Sequence, residues 1–138
     1  MAENIKLEIV TPEKSVVNEE ARIVMAPGTL GEFGVLSGHT PFMTSLKLGS
    51  VRYVDKGGKE RFVFVSGGFA EALSDRITIL ADSAERRREI DLERAKAAKA
   101  RAEERLAKEA DETVDYTRAR AALTRAINRI RLVETSNS

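Results

Sequence analysis

The sequence predicts a β plus α protein, in which a β-sandwich or barrel of about ten short strands precedes an antiparallel pair of helices. Three observations predict this class. All nine glycines and all three prolines lie at or before Gly68. Six of the seven aromatic residues precede Ala84, and the chain beyond it is rich in Ala, Arg, Glu and Lys. Because glycine and proline form turns and aromatic side chains fill cores, we expect a β-sandwich domain over residues 1–84 and a helical hairpin over residues 85–138.

The strands are predicted from short runs in which apolar and polar residues alternate. The first run has its apolar residues at Ile5, Leu7 and Ile9, and a period of two is typical of a half-buried strand. Turn sequences such as Asp-Lys-Gly-Gly at residues 55–58 separate the later runs. Further strands are predicted at residues 16–17, 21–26, 34–36, 44–48, 50–54, 61–66, 69–73 and 76–81.

Residues 25–42 form a loop-rich segment with the only histidine of the chain. Its glycines match no phosphate-binding motif, and we expect them to serve tight turns. These glycines are Gly28, Gly31, Gly34 and Gly38. His39 invites an acid–base interpretation and a hydrolase hypothesis, but no paired Ser or Cys nucleophile and no companion metal ligands are visible. We therefore favour a scaffold or contact role for His39, and expect Glu32 to be exposed and to touch a partner.

Composition excludes several kinds of protein. The chain has no cysteine, so it has neither a disulfide framework nor a thiol nucleophile. No signal peptide is apparent, and no apolar run approaches the about 20 residues that cross a bilayer, so we expect membrane association only through a partner. The formal net charge is +1, but residues 85–138 hold fourteen Lys and Arg against eleven Asp and Glu.

A first helix is predicted within residues 83–110, where apolar residues recur at a spacing of three and four. This stripe consists of Ile90, Leu92, Ala95, Ala98, Ala102 and Leu106. Residues 111–115 break the pattern, and Asp115 is predicted to cap a second helix. The second stripe consists of Tyr116, Ala119, Leu123, Ala126, Ile130 and Val133. Because alanine buries little area, we expect the hairpin to be marginally stable and able to move as an arm.

The second predicted helix is wholly cationic, because residues 116–133 contain five arginines and no acidic residue. The arginines are Arg118, Arg120, Arg125, Arg129 and Arg131. One interpretation is a surface that contacts acidic partners, and the other is an ordinary solvated charged face. A third is binding of nucleic acid through phosphate contacts, but no aromatic stacking platform accompanies the stripe and the flanking helix is rich in Glu.

Four segments together resemble the epsilon subunit of rotary ATP synthases. They are residues 31–41 (GEFGVLSGHTP), 64–71 (FVSGGFAE), 77–82 (ITILAD) and 90–95 (IDLERA). The resemblance spans essentially the whole chain in order and spacing, and Ser37 replaces a proline of many relatives. It implies a flattened β-sandwich followed by two antiparallel helices, at the base of the rotating central stalk. It also implies a non-catalytic subunit that couples proton flow to ATP synthesis and inhibits ATP hydrolysis.

The resemblance also implies partners. The loop with Glu32 would meet the ring of membrane (c) subunits, and the surroundings of His39 would approach the gamma subunit. The five arginines of the extended arm would meet acidic segments of the alpha and beta subunits. The chain would then lie peripherally on the cytoplasmic face of the bacterial inner membrane, without inserting into it and without binding nucleic acid.

Some members of the family bind ATP on the folded hairpin through an I/L-D-x-x-R-A motif, which residues 90–95 match. The resemblance implies a regulatory ATP site and no required cofactor, metal or catalytic residue. Its candidate residues are Glu85, Asp91, Arg94, Ala95, Arg125 and Arg129. The arginines suit phosphate oxygens, and Asp91 could accept hydrogen bonds from a ribose or base. The alternative is that Asp91 and Arg94 only stabilise the start of the helix.

Overall fold

The computed structural model describes residues 3–108 and 115–135. The chain divides between Arg87 and Arg88 into two compact units. Every described strand lies in the first unit, and both helices lie in the second. The predicted β plus α class, with strands first and a helix pair after them, is confirmed.

The first unit contains nine strands among the described residues. They are β1 (Ile5–Val10), β2 (Ser15–Gly28), β3 (Gly31–Val35), β4 (Phe42–Leu46), β5 (Gly49–Asp55), β6 (Glu60–Val65), β7 (Gly68–Ala72), β8 (Arg76–Ala81) and β9 (Ala84–Arg86). Their order is β1-β8-β7-β4-β2-β5-β6-β9, with β3 beside β2. β1 runs parallel to β8 and antiparallel to β2, so the strands close on themselves into the predicted β-sandwich.

The core of the first unit is apolar and follows the alternation read from the sequence. Ile5, Leu7 and Ile9 have no exposed surface, whereas Lys6 between them is exposed. Burying one such side chain stabilises the fold by roughly 1.5–3 kcal/mol. Tyr53 and Phe64 are the largest fully buried side chains. The alternation of apolar and polar residues along β1 therefore places one face of this strand in the core.

The separate strands predicted at residues 16–17 and 21–26 are wrong, because both belong to the 14-residue strand β2. Its first half pairs with β1, and its second half pairs with β3 and β5. Ile9 lies opposite Val17 and Val10 opposite Ser15, which leaves Val16 without a residue opposite it. Val16 is thus a β-bulge, which bends a strand and strengthens its twist. A second irregularity lies between Ala21 and Ile23, where β2 changes partner from β1 to β5.

The helix predicted within residues 83–110 begins later than the stripe suggested. Ala84–Arg86 is the edge strand β9, which pairs with β6. A 3₁₀ turn, Arg87–Glu89, precedes α1, which spans Leu92–Leu106. Asp91 caps α1 by accepting the backbone N–H of Arg94. Residues 84–86 form a strand and not the predicted helix because Ala84 is part of the sandwich core. Residues 109–110 lie outside the described residues.

The second helix, α2, spans Tyr116–Thr135 and packs against α1. The Tyr116 hydroxyl donates a hydrogen bond to the carbonyl of Lys108. This contact puts the start of α2 beside the end of α1, so the helices are antiparallel as predicted. Asp115 caps α2 through the N–H of Arg118, at 3.0 Å, which confirms the predicted cap. The buried residues of the helices are chiefly alanine: Ala95, Ala102, Ala119 and Ala126, with Leu132.

Candidate functional site

An exposed apolar patch lies on the outward face of β4, β7 and β8. We define the apolar patch as Met43, Phe69 and Leu80, whose exposed fractions are 67%, 57% and 55%. Phe69 lies directly opposite Leu80 on antiparallel β7 and β8. Met43 on β4 lies opposite Glu71, two residues along β7 from Phe69. Neighbouring strands thus bring the three side chains onto one surface.

A shallow cavity of about 100 Å³ lies within the patch. It is lined by Met43, Phe69, Ala70, Glu71, Thr78 and Leu80. Pockets for small ligands are usually about 300–1,000 Å³, so this one suits a single anchoring side chain of a protein partner. Exposed apolar clusters of this kind mark protein interfaces. The sequence reading missed the patch, because Phe69 and Leu80 lie in runs that look like buried strand.

Gly68 builds this surface by allowing β7 to approach β8 closely. Its φ of +131° is a conformation that residues with a side chain rarely adopt. A Cβ at this position would lie 2.0 Å from the carbonyl oxygen of Leu80. Gly68 therefore sets the close spacing of the strands that carry Phe69 and Leu80.

The predicted contact residue Glu32 lies on β3 at the exposed β2–β3 hairpin. Its carboxylate pairs with the Arg52 guanidinium at 3.1 Å, and Arg52 also approaches Glu60 at 3.9 Å. Leu30, at the hairpin tip, is 99% exposed. Arg52 was not a predicted site residue, because only the pairing of β2 with both β3 and β5 brings it near Glu32.

His39 is half-buried between β3 and β4. Its Nδ1 lies 2.5 Å from the carbonyl oxygen of Thr40, and since a carbonyl only accepts, Nδ1 carries the proton. The imidazole also packs on Phe42, with ring centroids 4.9 Å apart. The His39 imidazole thus contacts Thr40 and Phe42 of its own segment, and its predicted contact with a partner stays a prediction. Within residues 3–108 and 115–135, no cluster of His, Cys, Asp and Glu could hold a metal ion.

The five arginines of α2 lie along two stripes of the helix. Spacings of seven and four residues place Arg118, Arg125 and Arg129 on one side, and a spacing of eleven places Arg120 and Arg131 on another. Arg125 and Arg129 are half-buried, whereas the other three are exposed. The cationic helix therefore offers two basic edges to a partner.

The residues predicted for ATP fall in both units. Asp91, Arg94 and Ala95 lie together at the start of α1, where Ala95 is buried and the Asp91 carboxylate caps the helix. The structure places Glu85 in β9, opposite Phe64. Because the helices are antiparallel, the C-terminal half of α2 runs beside the N-terminal half of α1. Arg125 and Arg129 consequently belong to the same end of the hairpin as Asp91 and Arg94.

No described helix is long and apolar enough to cross a bilayer. Residues 4–87 match the family described as ATP synthase, Delta/Epsilon chain, beta-sandwich domain. Residues 88–134 match the ATP synthase, Delta/Epsilon chain, long alpha-helix domain. The chain belongs to the ATP synthase delta/epsilon family. The boundary between the two matches coincides with the division between the compact units.

Relatives in this family are similar over nearly the whole chain. The ATP synthase epsilon chain of Desulforapulum autotrophicum is 63% identical over 135 residues, which are 98% of this chain and 99% of the relative. The ATP synthase epsilon chain of Syntrophobacter fumaroxidans is 55% identical over 134 residues, covering 97% and 98% of the two chains.

The fold is also similar to chains in two solved assemblies. A chain in the cryo-EM structure of Euglena gracilis mitochondrial ATP synthase, OSCP/F1/c-ring in rotational state 1, matches with a TM-score of 0.79 and 25% identity. This match covers 98% of the present chain and 82% of the Euglena chain. A chain of the Tetrahymena thermophila mitochondrial ATP synthase central stalk and c-ring shares the fold, with a TM-score of 0.54 and 13% identity over 99% and 98% of the two chains.

Proposed function

We propose that this chain is the non-catalytic epsilon subunit of a proton-translocating rotary ATP synthase, where it forms part of the central stalk. The observation that carries the proposal is the end-to-end match of both compact units to the two successive domains of one family. The similarity to a chain of the Euglena assembly, which contains F1 and the c-ring, supports the same role. In this role the chain transmits rotation and carries out no chemistry itself.

The β-sandwich is the part that seats the chain on its partners. The apolar patch and its small cavity fit an apolar side chain of the gamma subunit, because a rotor subunit must be held through a persistent, desolvated contact. His39 packs on Phe42, the residue before Met43 of the patch. The β2–β3 hairpin, with exposed Leu30 and the Glu32–Arg52 pair, faces the c-ring in this proposal. The chain is then held at the cytoplasmic face of the membrane through its partners.

The helical unit is the regulatory arm. It is a separate compact unit, and its buried residues are mostly alanine, so a partner need supply only a few kcal/mol to move it between two positions. The two basic edges of α2 suit acidic surfaces of the alpha and beta subunits. Engagement of the arm there would oppose rotation in the hydrolysis direction.

A regulatory ATP site on the hairpin is a second proposal. It is favoured by the placement of Arg125 and Arg129 at the end of the hairpin that carries Asp91 and Arg94. Guanidinium groups bind phosphate oxygens through two parallel hydrogen bonds. Bound ATP would stabilise the folded hairpin and oppose its extension.

The nucleic-acid alternative has no support from the comparisons, which match both units to the ATP synthase family. The comparisons likewise give no support to a hydrolase centred on His39. The imidazole serves instead to hold the loop against Phe42.

Truncation in a reconstituted ATP synthase tests the proposed function. The truncation should follow Arg87, because removing everything after Asp82 would delete β9 and the core residue Ala84. We expect the truncated chain to assemble and support ATP synthesis, while ATP hydrolysis rises relative to the full chain. Unchanged hydrolysis at every nucleotide level and driving force would remove the regulatory role. Failure of the intact chain to copurify with gamma and c subunits would remove the stalk assignment.

A further inference from the structure

A polar cluster ties the last strand of the sandwich to its interior. The Arg86 guanidinium, on β9, donates from Nε to the carbonyl oxygen of Val16 at 3.1 Å. Its Nη1 lies 3.5 Å from the hydroxyl oxygen of Tyr53 on β5. The cluster therefore joins β2, β5 and β9, although Arg86 and Val16 are 70 residues apart in the chain.

The Val16 carbonyl is available to Arg86 because Val16 is the bulge residue of β2. A bulge leaves its extra residue unpaired with the partner strand. A backbone carbonyl shielded from water without a donor costs about 1–3 kcal/mol. Arg86 supplies that donor from a strand that is not a neighbour of β2 in the sheet.

Tyr53 fixes the other side of the guanidinium. Its side chain is only 1% exposed. Burial and the Glu19 carboxylate raise the pKa of Tyr53 to about 12, against the opposing charge of Arg86. The Tyr53 hydroxyl oxygen accepts from the Arg86 guanidinium, since a guanidinium only donates. The half-buried Arg86 thus has a preformed receptor of fixed geometry.

The strand that carries Arg86 is short and lies at the edge of the sheet, where pairing with β6 and burial of Ala84 also hold it. β9 is a three-residue edge strand that pairs only with β6 among the described strands. Next to it, the Arg87 guanidinium lies 5.3 Å from the centre of the Phe62 ring. The two units divide immediately after this residue. Whatever holds β9 therefore fixes the point at which the helical unit is attached.

We propose that Arg86 is a clamp that locks β9 into the sandwich through Val16 and Tyr53, so that the helical unit pivots only beyond it, within residues 87–90. Without the clamp, β9 would leave the sheet edge and become part of a longer, flexible tether. The position of the helical unit would then be poorly defined. The inference rests on the proposed regulatory role only where it predicts hydrolysis, and the clamp itself is testable in the isolated chain.

Amide hydrogen exchange on the full-length chain tests the clamp. In Arg86→Gln, we expect the amides of β9 to exchange about tenfold faster or more, while those of β7 and β8 are unchanged. Arg86→Lys keeps the charge but has no planar fork, so it should give a smaller acceleration of the same amides. Arg88→Gln removes a nearby exposed arginine and should leave β9 unchanged. Equal exchange of β9 in the original chain and in both Arg86 variants would overturn the clamp.

The rate of ATP hydrolysis by the reconstituted ATP synthase tests the regulatory consequence of the clamp. A complex with Arg86→Gln should hydrolyse ATP about twofold faster or more than one with Arg88→Gln, because a loose tether weakens control of the arm. If truncation after Arg87 raises hydrolysis and Arg86→Gln does not, the proposed function stands and the clamp has no regulatory consequence. If neither change raises hydrolysis while β9 exchange is accelerated, the regulatory role fails and the clamp remains a structural fact.

Discussion

Phe69 and Leu80 face each other across the antiparallel pair β7–β8, and both are more than half exposed. We expect Leu80→Ser to weaken binding of the chain to the gamma subunit about tenfold or more, because burying a leucine contributes roughly 1.5–3 kcal/mol. Isothermal titration with purified gamma subunit gives the affinity. The melting temperature of the isolated chain should hardly change, since the side chain is outside the core.

Leu30→Ser is the matched control for this prediction. Leu30 is 99% exposed but lies at the tip of the β2–β3 hairpin, outside the apolar patch. Its replacement should leave the affinity for the gamma subunit unchanged. Equal losses in the two variants would mean that general surface hydrophobicity, and not the apolar patch, drives the association.

Gly68 should be the most sensitive glycine of the sandwich. Gly68→Ala adds a Cβ 2.0 Å from the Leu80 carbonyl oxygen at a φ of +131°, and we expect a loss of about 3 kcal/mol or more in unfolding free energy. Gly38 has a φ of +84° but open space around it, so Gly38→Ala should cost only about 1–2 kcal/mol. Urea denaturation of both variants measures the difference. A smaller loss at Gly68 than at Gly38 would contradict the close approach of β7 and β8.

Asp55 closes the β5–β6 turn. We expect it to make the free energy of unfolding depend on pH in the acidic range. Its Oδ1 accepts the backbone N–H of Lys59 at 2.9 Å and its Oδ2 accepts Arg61 Nε at 3.1 Å. The Lys59 N–H, and then the Arg61 guanidinium, lower the pKa of Asp55. A lowered folded pKa gives stability that is present above the unfolded pKa and is lost as pH falls through the folded value. The contribution is therefore intact at neutral pH.

Asp55→Asn should consequently be less stable than the original chain at pH 7, and the difference should shrink as the pH falls below about 4, the ordinary range of an Asp carboxyl. Thermal unfolding at a series of pH values measures this. Asp75→Asn controls for the loss of a negative charge in another exposed turn. If the difference in stability between Asp55→Asn and the original chain stayed constant down to the lowest pH measured, Asp55 would act through its shape and not through its charge.

The class of fold was predictable because its causes are local. Alternation at Ile5, Leu7 and Ile9, the glycine-bearing turns and the cap at Asp115 each act within a few residues. β9 was missed because Ala-Glu-Arg is a sequence that favours helix. Its strand conformation depends on burial of Ala84 and on the contact of Arg86 with a residue near the start of the chain. Long-range pairing thus overrides local preference there.

The candidate interface was predictable only in part, for a similar reason. Glu32 was expected to be exposed from its loop, and it is. Arg52 could be identified as the partner of Glu32 only from the structure, in which β2 lies between β3 and β5. The apolar patch could not be predicted, because an apolar residue in a strand gives the same sequence pattern whether its side chain is buried within the fold or is covered by a partner protein. The register of strand pairing decides which face of the sheet Phe69 occupies, and the sequence alone does not give this register.

Arg94 separates the proposed ATP site from the alternative of simple helix capping. The Asp91 carboxylate accepts the backbone N–H of Arg94 at 3.1 Å, so Arg94→Ala leaves the cap intact and removes only the guanidinium. Calorimetric titration of the isolated chain with Mg-ATP should show binding that Arg94→Ala weakens about tenfold or more, as expected for loss of a charge-assisted phosphate contact. Arg118 has the same relation to Asp115 at the start of α2, so Arg118→Ala should bind ATP normally. Undiminished binding in Arg94→Ala, or equal losses in both variants, would leave residues 90–95 with a capping role alone.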